Sequence, residues 1–270
     1  MKISNILSKR NRVLLRELVV TDFKLRYQGS VLGYLWSLLK PLFLFAILYT
    51  VFGLVLRLGT DVEHFPVYLL LGIVLWSFFN EATKQGLSSI VDRGDLIRKI
   101  NFPKYIIVIS GTLSALINLL INLVVIAFLM YLNGVQLTGN VIWFPLLLIE
   151  LYVISLALAF LLSAFYVKFR DFDYIWEVVM QAAFYAVPII YPLSLVVAQS
   201  DQLAKILMLN PIAQIIQDSR YVLVTTDSIR LYDLLSNAFV IAIPFIVTIF
   251  LLVIAAMYFK KKSKYFAEDV

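Results

Sequence analysis

One residue of this chain carries an ionisable carboxyl group in the middle of an apolar stretch, where such groups are rare. Glu150 lies in the run LLLIELYVIS, where an ionisable side chain is costly and therefore suggests a function. Two roles stay open for it: a part in transport, or a structural hydrogen bond to a Ser or Asn of a neighbouring helix. Asn118 and Asn122 stand four residues apart in another apolar stretch and are predicted to hydrogen-bond between helices.

Sequence patterns that bind nucleotides or metals, or that supply a nucleophile, are missing from the printed sequence. It has no phosphate-binding GxxxxGK[ST] loop, no GxSxG or HExxH motif, and no cysteine. The one histidine, His64, stands in a short polar loop, where a solvated side chain is expected. We therefore expect a protein that is not an enzyme, holds no cofactor of its own and does not hydrolyse ATP by itself.

Aromatic side chains are abundant, at 14% of the chain. Aromatic rings stack on the apolar faces of sugars and tyrosine hydroxyls can bond to sugar hydroxyls, so an aromatic helix face suits a pore for a glycan. Plain packing in the protein core is the alternative. Six residues are predicted to line such a pore. They are Trp36, Phe43 and Tyr49 in the apolar stretch 35–56, and Trp176, Phe184 and Tyr191 in the apolar stretch 174–192.

Composition places these residues in a membrane. The 270 residues are 62% hydrophobic and 15% charged, whereas about 25% of the residues of a soluble domain are charged. Apolar stretches of about 20 residues span a bilayer, and a helix satisfies their backbone groups there. We predict an all-α integral membrane protein with six transmembrane helices in one domain, residues 1–270. The approximate spans are 35–56, 66–84, 105–132, 141–167, 174–192 and 236–259.

Lysine and arginine are distributed unevenly around these stretches. Nineteen of the 23 lie on the side that holds the N-terminal segment, the loop around 84–104, residues 168–170 and the C-terminal tail. The positive-inside rule assigns that side to the cytoplasm, so we predict a multi-pass protein of the cell (inner) membrane with both termini cytoplasmic. The net charge of +6 is therefore attributed to topology and anionic lipid, and no nucleic-acid partner is expected.

Two segments do not fit simple spans. Residues 9–28 mix basic side chains with apolar ones at helical spacing, which is typical of an amphipathic helix in the cytoplasmic membrane interface. A disordered basic arm is the alternative. Residues 193–235 are too long and too apolar for a structureless loop, so we predict short external or re-entrant helices, broken at Asn210-Pro211.

Several separated motifs resemble those of one family of membrane proteins. Residues 26–41 read RYQGSVLGYLWSLLKP, and residues 95–104 read DLIRKINFPK. Two further motifs are Tyr191-Pro192, and Asn210-Pro211 followed by Arg220. In order and position these motifs resemble the permeases of ABC-type exporters of O-antigen, other polysaccharides and teichoic acid, which belong to the ABC-2 type. The resemblance covers nearly the whole chain.

The resemblance implies ATP-driven export of a lipid-linked polysaccharide or polyol-phosphate polymer. Two copies of the permease would form a homodimeric channel in the membrane lipid. Two separate ATPase subunits, which bind the ATP and Mg²⁺, would dock on its cytoplasmic face. The residues assigned to ATPase coupling are Arg26, Asp95, Arg98 and Lys99. A merely solvated charged surface is the alternative for the last three.

Three further residues are assigned to a hinge and a gate. Gly33 would be the hinge where the interfacial helix turns into the first span, because glycine tolerates strained dihedral angles. A small residue for helix packing is the alternative. Pro188 and Pro192 predict a kinked or re-entrant segment near the end of the fifth stretch, which would dip back and narrow the external exit.

Other functions compete with this one. A drug or small-lipid exporter of the same architecture is the nearest alternative. An integral membrane enzyme such as a glycosyltransferase would need charged residues clustered at a cleft, whereas Asp201, Asp218, Asp227 and Asp233 are scattered along the sequence. A non-transporting scaffold would leave the two cytoplasmic motifs without a purpose.

Overall fold

The computed structural model describes residues 8–26 and 29–269, apart from the side chains of Phe23, Leu25 and Arg26. These ranges are helical and contain no β-strand, which agrees with the all-α prediction. The helices are α1 (Lys9–Arg26), α2 (Trp36–Leu48), α3 (Phe65–Asp92), α4 (Gly94–Lys99), α5 (Tyr105–Leu132), α6 (Phe144–Lys168), α7 (Phe172–Ala186), α8 (Leu193–Gln199), α9 (Asp201–Met208), α10 (Pro211–Leu223), α11 (Leu231–Leu234), α12 (Ala238–Ile241), α13 (Ile243–Lys262) and α14 (Phe266–Asp269).

Five helical stretches of the described residues are long and apolar enough to cross a membrane. They are Gly33–Val55, Phe65–Asp92, Tyr105–Leu132, Gly139–Lys168 and Ile243–Lys262. The first continues α2 through a π-helical turn, and the fourth adds a short 3₁₀ turn before α6. These stretches overlap the first, second, third, fourth and sixth predicted spans.

The fifth predicted span, 174–192, has a different structure. Helix α7 has 15 residues, ends at Ala186 and is not among the five candidate spans. Val187, which precedes Pro188, has an extended backbone, because a following proline disfavours the helical conformation. Residues 187–192, here called the Pro188 turn, are non-helical and mostly buried. The prediction of a break at the prolines is confirmed.

Helix α3 lies at the centre of the bundle. Of its membrane-spanning window 78% is buried, against 11% for the first stretch and 22% for the last. It packs along α5 and α6. A Cβ atom on Gly86 would lie 2.3 Å from the Cβ of Ala159 on α6. The close approach of these two helices therefore requires glycine at that position.

Two clusters of buried apolar side chains follow each other along the bundle. One lies beside α4, and its aromatic members are Phe102, Phe160, Phe259 and Phe266. The other lies beside α10 and includes Leu69, Trp76, Leu151, Ile189 and Ile215. We call the two ends of the molecule the α4 end and the α10 end.

Helix α1 lies at the α4 end, where it packs on α5. Leu14 and Leu18 contact the apolar cluster there, while Lys9, Arg12 and Arg16 are exposed. The prediction of an amphipathic helix is confirmed over Lys9–Arg26, and its position in a membrane interface stays a prediction.

Gly33 marks the joint between α1 and α2. Its φ of +50° is a conformation that side-chain-bearing residues rarely adopt. A Cβ atom built there would meet nothing within 4 Å, so backbone conformation explains the glycine and close packing does not. Movement at this joint stays a prediction.

The segment 193–235 is largely helical, since it contains α8 to α11. Asn210 begins α10 as a cap, because its side-chain Oδ1 accepts a hydrogen bond from the backbone N–H of Ile212 at 3.0 Å. Pro211 occupies the first turn, where its missing N–H costs nothing. The predicted break at Asn210-Pro211 is therefore confirmed.

Candidate functional site

Helix α7 turns two of the predicted pore aromatics towards α3. The indole N–H of Trp176 donates a hydrogen bond to the hydroxyl of Thr83 at 3.1 Å. The ring of Phe184 lies 6.1 Å from the ring of Trp76, measured between centroids. Both side chains are half-buried, and both pack on the apolar cluster of the α10 end. These contacts hold α7 against α3, and a place for the two side chains in a pore stays a prediction.

Tyr191, the third predicted aromatic of this region, folds back on α7. Its hydroxyl donates to the carbonyl oxygen of Ala186 at 3.0 Å, and the carbonyl of Tyr185 is 3.3 Å away. These carbonyls have no partner within the helix, because they belong to its last turn. The hydroxyl thus caps α7 and fixes the start of the Pro188 turn.

The opposite face of α7 is exposed. Tyr174 and Tyr185 are 73% and 61% exposed, and the spacing of eleven residues places them on one face of the helix. Val178 and Gln181 lie between them on the same face and are exposed as well. Helical periodicity by itself could not select between the two faces of α7. The sequence does mark the exposed face by one signal, which is a polar Gln between two tyrosines at helical spacing.

The three predicted aromatics of the first span have different surroundings. Trp36 and Phe43 are exposed, Phe43 at 56%. Tyr49 is half-buried, with its ring stacked 5.6 Å from that of Phe45 and 6.4 Å from that of Phe65. Phe43 is therefore open to a surface, whereas Tyr49 contributes to packing between this span and the start of α3.

Helix α7 runs antiparallel to α3. Near its start, Asp173 forms an ion pair with Lys84, with 2.8 Å between the carboxylate oxygen and Nζ. Beyond its end, Ile189 lies beside Gly72. Lys84 and Gly72 are twelve residues apart, which is about 18 Å along a helix. The segment from Asp173 to Ile189 thus follows α3 from the α4 end to the α10 end.

The predicted coupling residues occupy the surface of the α4 end. Asp95, Arg98 and Lys99 are exposed on α4, while Ile97 on its inner face is 3% exposed and anchors the helix in the apolar cluster. Arg26 ends α1, and its side chain lies outside the described residues. The structure thus places three charged side chains on one short, anchored helix.

A contact that sequence analysis missed connects α1 to this helix. Arg93, directly before α4, forms an ion pair with Asp22 of α1. Its Nη1 also donates to the hydroxyl of Ser110 on α5 at 2.8 Å. Burial lowers the pKa of Arg93. The contact joins residues 71 positions apart, and no local pattern predicts it.

Glu150 lies next to α10. The negative charges of Glu150 and Asp218 interact, and Gln214 is near both. The side-chain amide of Gln214 donates to Asp218 at 2.5 Å. The sequence predicted a Ser or Asn partner for Glu150, whereas its neighbours on α10 are an acidic side chain, Asp218, and Gln214.

The two predicted interhelical asparagines do bond between helices. Asn118 donates to the carboxylate of Glu81 on α3 at 2.7 Å. Asn122 donates to the backbone carbonyl of Ser37 on α2 at 3.2 Å and to that of Asn118 at 2.8 Å. These two side chains therefore tie α5 to α3 and to α2, as predicted.

A cavity of about 340 Å³ opens at the α10 end. His64 and Glu63 before α3, Thr138 before α6 and Thr225 after α10 are among its lining residues. The imidazole of His64 is 3.4 Å from the carboxylate of Glu63. Within residues 8–26 and 29–269, no three His, Asp or Glu side chains come together in a group that could bind a metal ion.

Comparison with known proteins identifies relatives among membrane transport proteins. Residues 13–224 match the family model described as ABC-2 type transporter. The chain is 33% identical over 206 residues to the O-antigen export system permease protein RfbA of Myxococcus xanthus, which covers 76% of this chain and 77% of that protein. Two proteins of the same name from Klebsiella pneumoniae are 28% and 26% identical, covering 72% and 92% of this chain and 74% and 91% of their own lengths.

The family match covers most of the chain, including most of α1, the exposed helix α4, and α7 to α10. The chain belongs to the ABC-2 type transporter family.

Proposed function

We propose that this chain is the membrane-spanning permease subunit of an ATP-driven exporter of a polysaccharide. The observation that carries this proposal is the similarity to three O-antigen export permease proteins, over more than 70% of each chain. In the proposed complex the polysaccharide is attached to a lipid, or has a polyol-phosphate backbone, and partner subunits bind ATP and Mg²⁺.

The proposed orientation places the α4 end in the cytoplasm. By sequence position, 19 of the 23 lysines and arginines are assigned to the side of the membrane to which α4 belongs, and the positive-inside rule makes that side cytoplasmic. Both termini lie in the cytoplasm only if the number of crossings is even. We therefore propose that α7 and the Pro188 turn together form a further crossing beside the five long spans.

The direction of this segment supports that proposal. Fifteen helical residues extend about 22 Å, and the hydrocarbon core of a bilayer is about 30 Å thick. The helix alone is therefore shorter than the core, and the Pro188 turn, in which Val187 is extended, continues the segment beyond it. The antiparallel course of the segment along α3 gives it the direction of a crossing.

We propose that two copies of the chain form the channel, with α2 and α7 at its wall. Exposed apolar side chains on both helices need either lipid or a second copy to cover them. The exposed face of α7 suits a glycan because Tyr174 and Tyr185 offer rings and hydroxyls and Gln181 offers an amide. Phe43 of α2 adds an exposed ring.

In this proposal the predicted aromatics Trp176, Phe184 and Tyr191 act indirectly, without contacting the glycan. Trp176, Phe184 and Tyr191 hold α7 on α3, so they position the face that contacts the glycan. Glu150 then has a structural part beside α10. Pro188 and Pro192 delimit the turn at the external end of the crossing.

We propose that the ATPase subunits dock on α4. Asp95, Arg98 and Lys99 offer charges of both signs on a helix that is anchored by Ile97. The ion pair between Arg93 and Asp22 would pass a displacement of α4 to α1, and Gly33 would let α1 move relative to the first span.

Deletion of the gene in its own host tests the proposal. We expect polysaccharide to disappear from the cell surface, measured by a lectin or antibody on intact cells, while lipid-linked polymer accumulates inside. The unaltered gene should restore export. Unchanged surface polysaccharide, together with altered resistance to drugs, would favour the alternative of a drug or small-lipid exporter.

A further inference from the structure

Arg220 is the largest of the side chains that are fully buried among the described residues, with 0% of its surface exposed. It lies on α10, outside the five long spans. A buried guanidinium is costly unless its N–H groups are paired. The sequence places Arg220 in a family motif, but it does not say what the side chain contacts.

The guanidinium bonds to three separate parts of the chain. Nε donates to the carbonyl of Tyr68 at 3.1 Å, and Nη2 donates to the carbonyl of Ile189 at 2.7 Å. Nη1 donates to the carbonyl of Pro188 at 2.5 Å and to Oε1 of Gln217 at 3.0 Å. None of these acceptors is a carboxylate. Three of the four are backbone carbonyls, and two of those belong to the Pro188 turn.

The surroundings compensate the positive charge. The carbonyls of Pro188 and Ile189 follow the C-terminal end of α7, where a helix dipole is negative. The ring of Tyr68 lies 3.6 Å from the guanidinium carbon, which is a cation–π contact. The hydroxyl of Tyr68 also donates to Gln217 at 3.2 Å, so one network joins α3, α10 and the turn.

Gly72 provides the space that this arrangement needs. A Cβ atom on Gly72 would lie 2.5 Å from Nη2 of Arg220 and 3.3 Å from its Cζ. The end of a free arginine would move away at little cost. Here four hydrogen bonds hold it, so a methyl group at position 72 would break some of them.

We propose that Arg220 is a positioning residue that holds the Pro188 turn against α3, and that Gly72 is glycine in order to admit the guanidinium. The proposal rests on the proposed function, because only in an exporter does this turn form the external end of a channel wall. Without Arg220 the turn separates from α3, and the face of α7 that contacts the glycan loses its fixed position.

The natural chain contains no cysteine, so a single introduced cysteine can report on the turn. Ile189 is 0% exposed, and an Ile189→Cys substitution keeps the backbone carbonyl that Arg220 binds. The rate at which N-ethylmaleimide labels this cysteine in membranes measures how often the turn opens. A second reporter, Ile90→Cys, sits at 0% exposure in the cluster of the α4 end.

Each reporter is combined with Arg220→Met, Gly72→Ala or the control Arg230→Met. Arg230 forms its ion pair with Asp233 on the protein surface. We expect Arg220→Met and Gly72→Ala to raise labelling of Ile189→Cys at least about tenfold, which corresponds to about 1.4 kcal/mol. In Arg220→Lys the labelling rate should lie between those of the natural Arg220 and Arg220→Met, because an ammonium keeps the charge but lacks the planar fork of donors. Arg230→Met should leave labelling unchanged.

Unchanged labelling of Ile189→Cys in both Arg220→Met and Gly72→Ala would overturn the proposal. A parallel rise at Ile90→Cys would also overturn it, since it would mean general loosening of the fold. Gly72→Ala keeps every charge and remains informative if Arg220→Met fails to fold. The labelling does not depend on any substrate, so failure of the proposed export function would leave this result standing.

Discussion

The α10 end and the α4 end differ in the exposure of their charged and polar side chains on α10 and α4. At the α10 end, Gln217 and Arg220 are fully buried and Asp218 is 7% exposed, and their partners are chosen by tertiary packing. At the α4 end, Asp95 and Lys99 are exposed on a helix of only six residues. Buried polar groups are expensive to disturb, whereas exposed charges are available to a partner.

This difference separates a fixed part from an adaptable one. We infer that the α10 end keeps one arrangement through its internal bonds, while the α4 end is built to receive an external protein. Substitutions at the α10 end should therefore act on stability. Those on α4 should act on coupling to the ATPase.

Reversal of charge on α4, in the double variant Arg98→Glu and Lys99→Glu, should uncouple ATP hydrolysis from export. Like charges opposed across an interface cost several kcal/mol, so we expect export to fall by more than about tenfold. The thermal unfolding temperature should stay unchanged because both side chains are exposed. The measurement is surface polysaccharide together with ATPase activity of the purified complex. Lys264→Glu, an exposed charge of the C-terminal tail, is the matched control.

Adjacent residues on opposite faces of α7 give a matched pair. Phe184→Ala removes a ring that packs on Trp76, and we expect a loss of about 2 kcal/mol or more in stability. Tyr185→Ala, at an exposed ring, should leave stability unchanged and reduce export about two- to tenfold through a lost contact of about 0.5–1.5 kcal/mol. The two variants are compared by thermal unfolding and by surface polysaccharide. The reverse pattern would assign the buried face of α7 to the glycan.

Asp22→Asn tests the half-buried ion pair that joins α1 to Arg93, the residue directly before α4. It leaves the Arg93 guanidinium without its carboxylate, and we expect a loss of about 1–3 kcal/mol in stability together with weaker export. The exchanged pair, Asp22→Arg with Arg93→Asp, should recover part of both. Thermal unfolding and export are measured in the same preparations. No recovery would mean that the surrounding groups, such as Ser110, require the original geometry.

Asp218→Asn should reduce the pH dependence of the stability of the folded chain, because Asp218 at the α10 end is one source of it. Burial raises the pKa of Asp218 to about 6, although Gln214 and Arg230 favour its ionised form. Glu150 and Asp233 also face it, with the opposite effect of their negative charges. The folded state thus binds this proton more tightly than the unfolded state, and the resulting stability is lost as the pH rises through about 6.

We therefore expect Asp218 to make the natural chain more stable at pH 5 than at pH 7, by about 1 kcal/mol. In Asp218→Asn this difference should become smaller, since the amide resembles the protonated acid. Thermal unfolding at the two pH values measures it. The exposed Asp201→Asn serves as control. An identical pH profile in Asp218→Asn would exclude Asp218 as the source.

Much of the fold follows from local patterns that can be located without a structure. The apolar stretches predict five of the observed long helices, and the breaks at Pro188 and at Asn210-Pro211 come from proline stereochemistry. The sequence overestimated the helix in the fifth stretch, because it counted apolar residues beyond Ala186 as helical. Those residues are apolar for another reason: Ile189 and Ile190 are buried in the Pro188 turn.

The candidate site was predictable only in part. The predicted coupling residues Asp95, Arg98 and Lys99 lie exposed on α4, and their role in coupling stays a prediction. The aromatic residues of α7 were identified, but the stripe chosen from them packs on α3, and the exposed stripe with Tyr174 and Tyr185 was not selected. Both faces of α7 are rich in apolar and aromatic residues, so hydropathy does not tell which one meets α3.

The sequence by itself determined the helical class, the long apolar helices and the points where the chain must bend. These depend on residues close together in the chain, and on the cost of an unpaired backbone group or a charge in lipid. Only the tertiary structure decided that Arg220 binds the Pro188 turn and Tyr68, 152 residues away, and that Asp22 meets Arg93. Such contacts depend on how whole helices pack, because a buried charge is stabilised by whichever distant groups the packing brings to it.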